Sequence, residues 1–207
     1  MLHTYGLPAK IPVREACLIE PFTVGFRAAR CAEPKPGENA IVFGAGTIGI
    51  AAAIGLKYFG CKEVMICDHS DFRLDKAKHQ HLGFATCNNS RKDLKKAAMA
   101  VFGTAPSRFG PTANVSICID AAGTEPILEL YQSMGKIESR MVVVAVRAGK
   151  RPVDMLEMTY SQHALIGSGG YNPENVEDVL AVMVQSRGIC AGGCRSAKAF
   201  DTASQKR

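Results

Sequence analysis

The chain has 207 residues, 47% hydrophobic and 21% charged, with a formal net charge of +6 at pH 7. That apolar content suffices for one packed domain and excludes a disordered or fibrous chain. The lysines and arginines are dispersed, and Arg91-Lys92-Asp93-Leu94-Lys95-Lys96 has no interleaved aromatic residue, so it reads as a solvated helix face rather than a nucleic-acid surface.

The first strand is predicted over 40–44 and runs into Gly44-Ala45-Gly46-Thr47-Ile48-Gly49, a G-x-G-x-x-G that opens a helix over 47–59. Gly44 allows a tight turn, Gly46 lets a pyrophosphate approach the backbone, and Gly49 lets helix and strand pack closely. The first N–H groups of that helix face the negative charge. From Asn39 to Leu56 there is no charged residue, but Gly44, Gly46, Gly49 and Gly55 break the run. It reads as a buried parallel strand and its crossover helix, not as a membrane span. A second strand over 63–68 ends on Asp68, 19 residues beyond Gly49, where a carboxylate would accept the adenosine ribose hydroxyls. Strand, turn, helix, strand and terminal acid in this order point to dinucleotide binding. Methyltransferases and ligand-gated regulatory domains also use a Gly-rich first turn and an acid after the second strand.

Further along, a helix over 71–82 with Asp71 as its cap precedes a strand at 84–87 and a helix at 91–102. A strand at 115–120, a helix at 125–134 and a strand at 140–146 follow, then a helix at 154–160, a strand at 164–168 and a helix at 173–186. Six strands alternating with helices predict an α/β fold, a Rossmann doubly wound parallel six-stranded sheet with helices on both faces. Ligands bind at the carboxyl ends of such strands. Val144-Ala145-Val146 and Ser168-Gly169-Gly170 fall there. They are small enough to let a nicotinamide ring lie against the backbone, or they simply form loops. The expected division is a connecting segment and lead-in helix over 1–33, a dinucleotide-binding domain over 34–187, and a basic, disordered tail over 188–207.

The eight cysteines sit mostly in apolar runs without a C-x-x-C pair, as reduced thiols of a cytoplasmic protein do. Residues 1–6 lack the basic start and apolar core of a secretory signal. His79 and His81 point apart on a helix and could not share a metal, whereas Cys190 and Cys194 could clip a soft metal with outside help but read better as part of a loose tail. No Ser-His-Asp elbow or phosphate-binding G-x-x-x-x-G-K-[ST] occurs.

Several segments together carry a resemblance. They are Ala16-Cys17-Leu18-Ile19-Glu20-Pro21-Phe22-Thr23-Val24-Gly25, Lys35-Pro36-Gly37-Glu38, the Gly-rich turn, Asp68 with Arg73-Leu74-Asp75-Lys76-Ala77-Lys78, Ile119-Asp120-Ala121-Ala122-Gly123, and Ile166-Gly167-Ser168-Gly169-Gly170-Tyr171. Over nearly all of residues 7–187 the chain resembles the nucleotide-binding half of the medium-chain dehydrogenase/reductase family. The nearest branch is that of the zinc-type polyol and secondary-alcohol dehydrogenases, such as the sorbitol dehydrogenases.

The resemblance implies hydride transfer between a secondary alcohol or polyol and NAD. Asp68 would hold the ribose and repel a 2′-phosphate, which favours NAD over NADP. The competing arrangement has His69, Ser70 and Arg73 accepting that phosphate. Arg73 would lie along the adenosine, Thr47 and Ile48 would contact the pyrophosphate, and Val24, Val144, Ala145, Val146, Ser168 and Gly169 would line the nicotinamide. Glu20 matches a glutamate beside the catalytic zinc. The other zinc ligands come from an N-terminal lobe in the family, so the zinc site is incomplete here and the chain reads as part of a longer enzyme, inactive alone. The alternative is a non-catalytic NAD(H)-binding module. Relatives associate through the edge of the sixth strand, which predicts a homo-oligomer through 164–168.

Overall fold

The computed structural model describes residues 5–78 and 83–185. The expected tail, His79, His81, Cys190 and Cys194 lie outside the described residues.

A one-turn helix, α1 (Val13–Ala16), leads into α2 (Ile19–Cys31). There follow β1 (Asn39–Phe43), α3 (Thr47–Tyr58), β2 (Glu63–Asp68), α4 (Asp71–Lys78) and β3 (Ala85–Asn88). Next come α5 (Leu94–Phe102), the hairpin β4 (Thr104–Ser107) and β5 (Gly110–Ala113), β6 (Ile117–Asp120) and α6 (Pro126–Met134). The described part ends with β7 (Arg140–Val143), α7 (Met155–Ser161), β8 (Ala164–Gly167) and α8 (Pro173–Gln185). The six-stranded sheet is parallel throughout, in the order β3-β2-β1-β6-β7-β8. This is the doubly wound arrangement expected from the strand–helix alternation.

Side chains alternate across the sheet. Val42, Ile66, Ile119 and Val142 meet α2, α3 and α8 on one face. Ile41, Phe43, Met65, Cys118 and Met141 meet α5 and α6 on the other. The lead-in helix is part of the first core: Phe26, Ala28 and Ala29 are fully buried, and α2 packs on α3 and α8. That contact is close enough to demand glycine, since a Cβ on Gly25 would stand 2.6 Å from that of Ala51. Arg30 donates to Asp178 of α8 across it.

Several features differ from expectation, each for an identifiable reason. The strand expected over 140–146 stops at Val143, because the Asp120 carbonyl accepts both the Val144 and the Ala145 N–H and turns the chain. The helix expected from 91 starts at Leu94, where Asp93 accepts the Lys96 N–H. Asp71 does not cap α4. The Ser70 hydroxyl accepts the Arg73 N–H instead, and Asp71 accepts from Asn88 and pairs with Arg91. The hairpin β4–β5 was not anticipated. Its tip is tied down by Arg108, which donates to the buried Glu157 carboxylate of α7.

Beneath the sheet, Arg140 joins three segments. It donates to both Glu38 oxygens and to the carbonyls of Ala32 and Glu33, which follow α2. Glu33 takes the left-handed region at φ +46° as the chain reverses there.

Candidate functional site

The carboxyl ends of β1, β2 and β6 open onto a cleft of about 350 Å³. Its floor is the glycine turn. Gly44 has φ +102°, a conformation that glycine adopts freely, and a Cβ there would also press on the Ala121 backbone at 3.2 Å. A Cβ on Gly49 would stand 1.8 Å from the Gly44 carbonyl oxygen, so this position tolerates no side chain. Gly46 is different. A Cβ there would meet nothing within 4 Å, so its surroundings are open.

Gly46 is also the N-cap of α3, a helix that starts with neither a side-chain cap nor an acidic residue in its first turn. Thr47, Ile48 and Gly49 therefore present first-turn N–H groups and the positive end of the helix dipole without a carboxylate to quench them. That is the arrangement that receives a pyrophosphate.

Asp68 closes β2 beside this turn. Its Oδ2 accepts the Ala45 N–H at 2.8 Å, and its Oδ1 accepts the Ser70 N–H at 2.9 Å. Arg73 approaches Oδ2 at 3.7 Å. A carboxylate has about four lone-pair sites, so two remain for ribose hydroxyls. The half-exposed Arg73 and the adjacent His69 share the cleft wall with Asp68.

The cleft thus brings together Gly44, Gly46, Asp68 and Arg73, and adds Cys67, His69, Asn89, Ala121, Ala122, Thr124 and Ile127. Asp120 shapes the far wall by accepting the Ala122 and Gly123 N–H groups at 3.0 and 2.7 Å. In the sequence, the Asp120-Ala121-Ala122-Gly123 run is marked only by the family resemblance. Asn89 carried no signal in the sequence.

The residues expected around a nicotinamide lie further along the same end of the sheet. Val144 is buried beneath the β7 turn, Ala145 lines a neighbouring cleft of about 230 Å³, and Val146 is fully exposed. Ser168 is half-buried, with its N–H bonded to Val143, and Gly169 is exposed. Val24 is half-buried on α2 against the first core. Glu20 is exposed at the start of α2 and lines a third cleft of about 380 Å³ with Tyr5, Thr23 and Tyr171. A zinc ion does not fit there on these residues alone. Three protein ligands are the usual need, and among the described residues no group of three His, Cys, Asp or Glu side chains could hold a metal. Among the described residues, likewise, no helix is long and apolar enough to cross a membrane.

Comparison with known proteins agrees with this geometry. The model of the zinc-binding dehydrogenase family matches residues 47–185. The (R,R)-butanediol dehydrogenase of Saccharomyces cerevisiae is 27% identical over 179 residues, 86% of this chain and 45% of that protein. Bovine (Bos taurus) sorbitol dehydrogenase is 35% identical over 104 residues, 49% of this chain and 29% of that protein. A solved Escherichia coli structure, described as a short chain alcohol dehydrogenase complexed with NADH, superposes with a TM-score of 0.76 at 24% identity. That superposition covers 91% of this chain and 52% of the other, and it shows a shared fold. The chain spans about half the length, or less, of the relatives it matches. It belongs to the zinc-binding dehydrogenase family.

Proposed function

We propose that the chain is the NAD-binding part of a zinc-type alcohol or polyol dehydrogenase, one that exchanges hydride between a secondary alcohol or polyol and NAD in the cytoplasm. The observation that carries this reading is the open space at Gly46 beneath the uncapped start of α3, with Asp68 beside it. Nicotinamide, when bound, supplies the hydride acceptor or donor. This chain's residues bind and align it. Thr47 and Ile48 take the pyrophosphate, Asp68 takes the ribose, and Val24, Val144, Ala145, Val146, Ser168 and Gly169 lie toward the nicotinamide end. Asp68 supports NAD over NADP, because its carboxylate repels a 2′-phosphate more directly than the partly neutralised Arg73 attracts it.

The second reading, a non-catalytic NAD(H)-binding module, is favoured by the isolation of Glu20 from other metal-binding side chains among the described residues. The two readings share the cofactor and differ in turnover. Calorimetric titration with NADH and NADPH, for the wild type and Asp68→Ala, tests the shared part: micromolar NADH binding that the variant weakens supports it, and no binding of either dinucleotide refutes it. Polyol-dependent NADH formation with added zinc, measured with a catalytic lobe of the family supplied to the chain, then separates enzyme part from module. We also propose that the exposed edge β8 pairs with that of a second copy. A monomer at micromolar concentration in sedimentation would rule this out.

A further inference from the structure

Two adjacent asparagines follow β3 into the cleft wall, and they are used differently. The amide of Asn88 is fully spent: it donates to the Asp71 carboxylate and the His69 carbonyl and accepts from Ser90. The amide of Asn89 is not. Its Oδ1 is shut off from solvent without a hydrogen-bond donor, a costly state for an acceptor. Asn89 lines the same cleft as Asp68, on the β3 side, with Thr124 and Ile127 on the opposite, β6 side.

We propose that Asn89 reads the purine base of the bound dinucleotide, its carboxamide oxygen accepting from the exocyclic 6-amino group and its NH2 donating to the ring nitrogen N7. The inference rests on the dinucleotide reading above and adds base selectivity to it. Rotation about the terminal side-chain torsion is soft, so the oxygen can turn from its orphaned position into the cleft when a donor arrives. Adenine offers a donor and an acceptor side by side, the pattern that an asparagine amide matches. Hypoxanthine offers a 6-oxo acceptor. Meeting it keeps the NH2 outward and leaves the oxygen inward and unpaired, as it is in the structure. The cleft therefore prefers a 6-amino purine whichever way the amide begins.

The test titrates the full chain with NADH and with reduced nicotinamide hypoxanthine dinucleotide, which differ at that one position. Wild type is expected to bind NADH about tenfold more tightly. Asn89→Leu brings the two affinities together, with a melting temperature close to that of wild type; if that variant does not fold, Asn89→Ser serves the same comparison. Equal affinities in the wild type, or a preference that survives in a folded Asn89 variant, overturn the role of Asn89 and leave dinucleotide binding standing. Failure of either dinucleotide to bind overturns both readings.

Discussion

Gly49 and Gly44 pack so closely that a methyl group on the first would stand 1.8 Å from the carbonyl oxygen of the second. Gly46, between them in sequence, has open space instead. The pair separates what the turn needs to fold from what it needs to bind. Gly49→Ala is expected to destabilise the chain by about 3 kcal/mol in urea unfolding, through overpacking against backbone that cannot yield. Gly46→Ala should change stability by less than about 1 kcal/mol and yet weaken NADH binding about tenfold, since its methyl enters the space assigned to the pyrophosphate.

The Arg140–Glu38 pair predicts an acid-sensitive stability. Burial alone would raise the Glu38 carboxyl, but the hydrogen bonds and charge of Arg140 outweigh it and hold the carboxyl below its usual 4.5. A depressed carboxyl contributes stability above its unfolded value and loses it as pH falls through the folded one. Urea midpoints should therefore drop below pH 4.5, and Glu38→Gln should flatten that drop. Arg140→Met leaves a mostly buried carboxylate unpaired and should cost about 3 kcal/mol at pH 7.

His163 acts in a higher window. Burial holds its imidazole below the usual 6.5, against the raising effect of the Lys136 carbonyl that it contacts. The neutral ring is the folded form, so stability present above pH 6.5 should decline as pH falls below it. His163→Gln, which can still donate to Lys136, is expected to remove the slope between pH 6.5 and 5 while leaving the drop below 4.5. The two variants together resolve the profile into separate steps.

Thiol labelling should follow access rather than acidity. The hydrogen bond from Cys67 brings the Cys87 thiol down to about 7, an acidity that would make an exposed cysteine reactive. Cys87 is only 2% exposed, however, and burial holds Cys118 up at about 12. Brief iodoacetamide treatment, mapped by mass spectrometry, should modify the exposed Cys17 and spare Cys67, Cys87 and Cys118 until urea is added.

The sheet was legible because each buried strand is a short β-rich run set off from the next by a helical stretch. The glycine turn and Asp68 were legible because their spacing encodes a local strand–turn–helix unit. What stayed hidden depends on distance in the chain. The hairpin β4–β5, over Thr104–Ser107 and Gly110–Ala113, contains Pro106 and Pro111, which argue against strands. It persists through pairing with itself and through Arg108 reaching Glu157, 49 residues away. Asn89 was invisible because its significance is an unmet hydrogen bond, which no spacing announces.

The contact between α2 and α8 places its two halves far apart in time as well as in sequence. Arg30 and Asp178 are 148 positions apart, and a ribosome adding about 5–20 residues per second separates their synthesis by roughly 7 to 30 s. Through that interval part of the α2 surface has no α8 to cover it, although α3 is already made. The nascent chain thus offers an apolar stripe to chaperones throughout that interval, and closure of the first core waits until the last described helix leaves the ribosome.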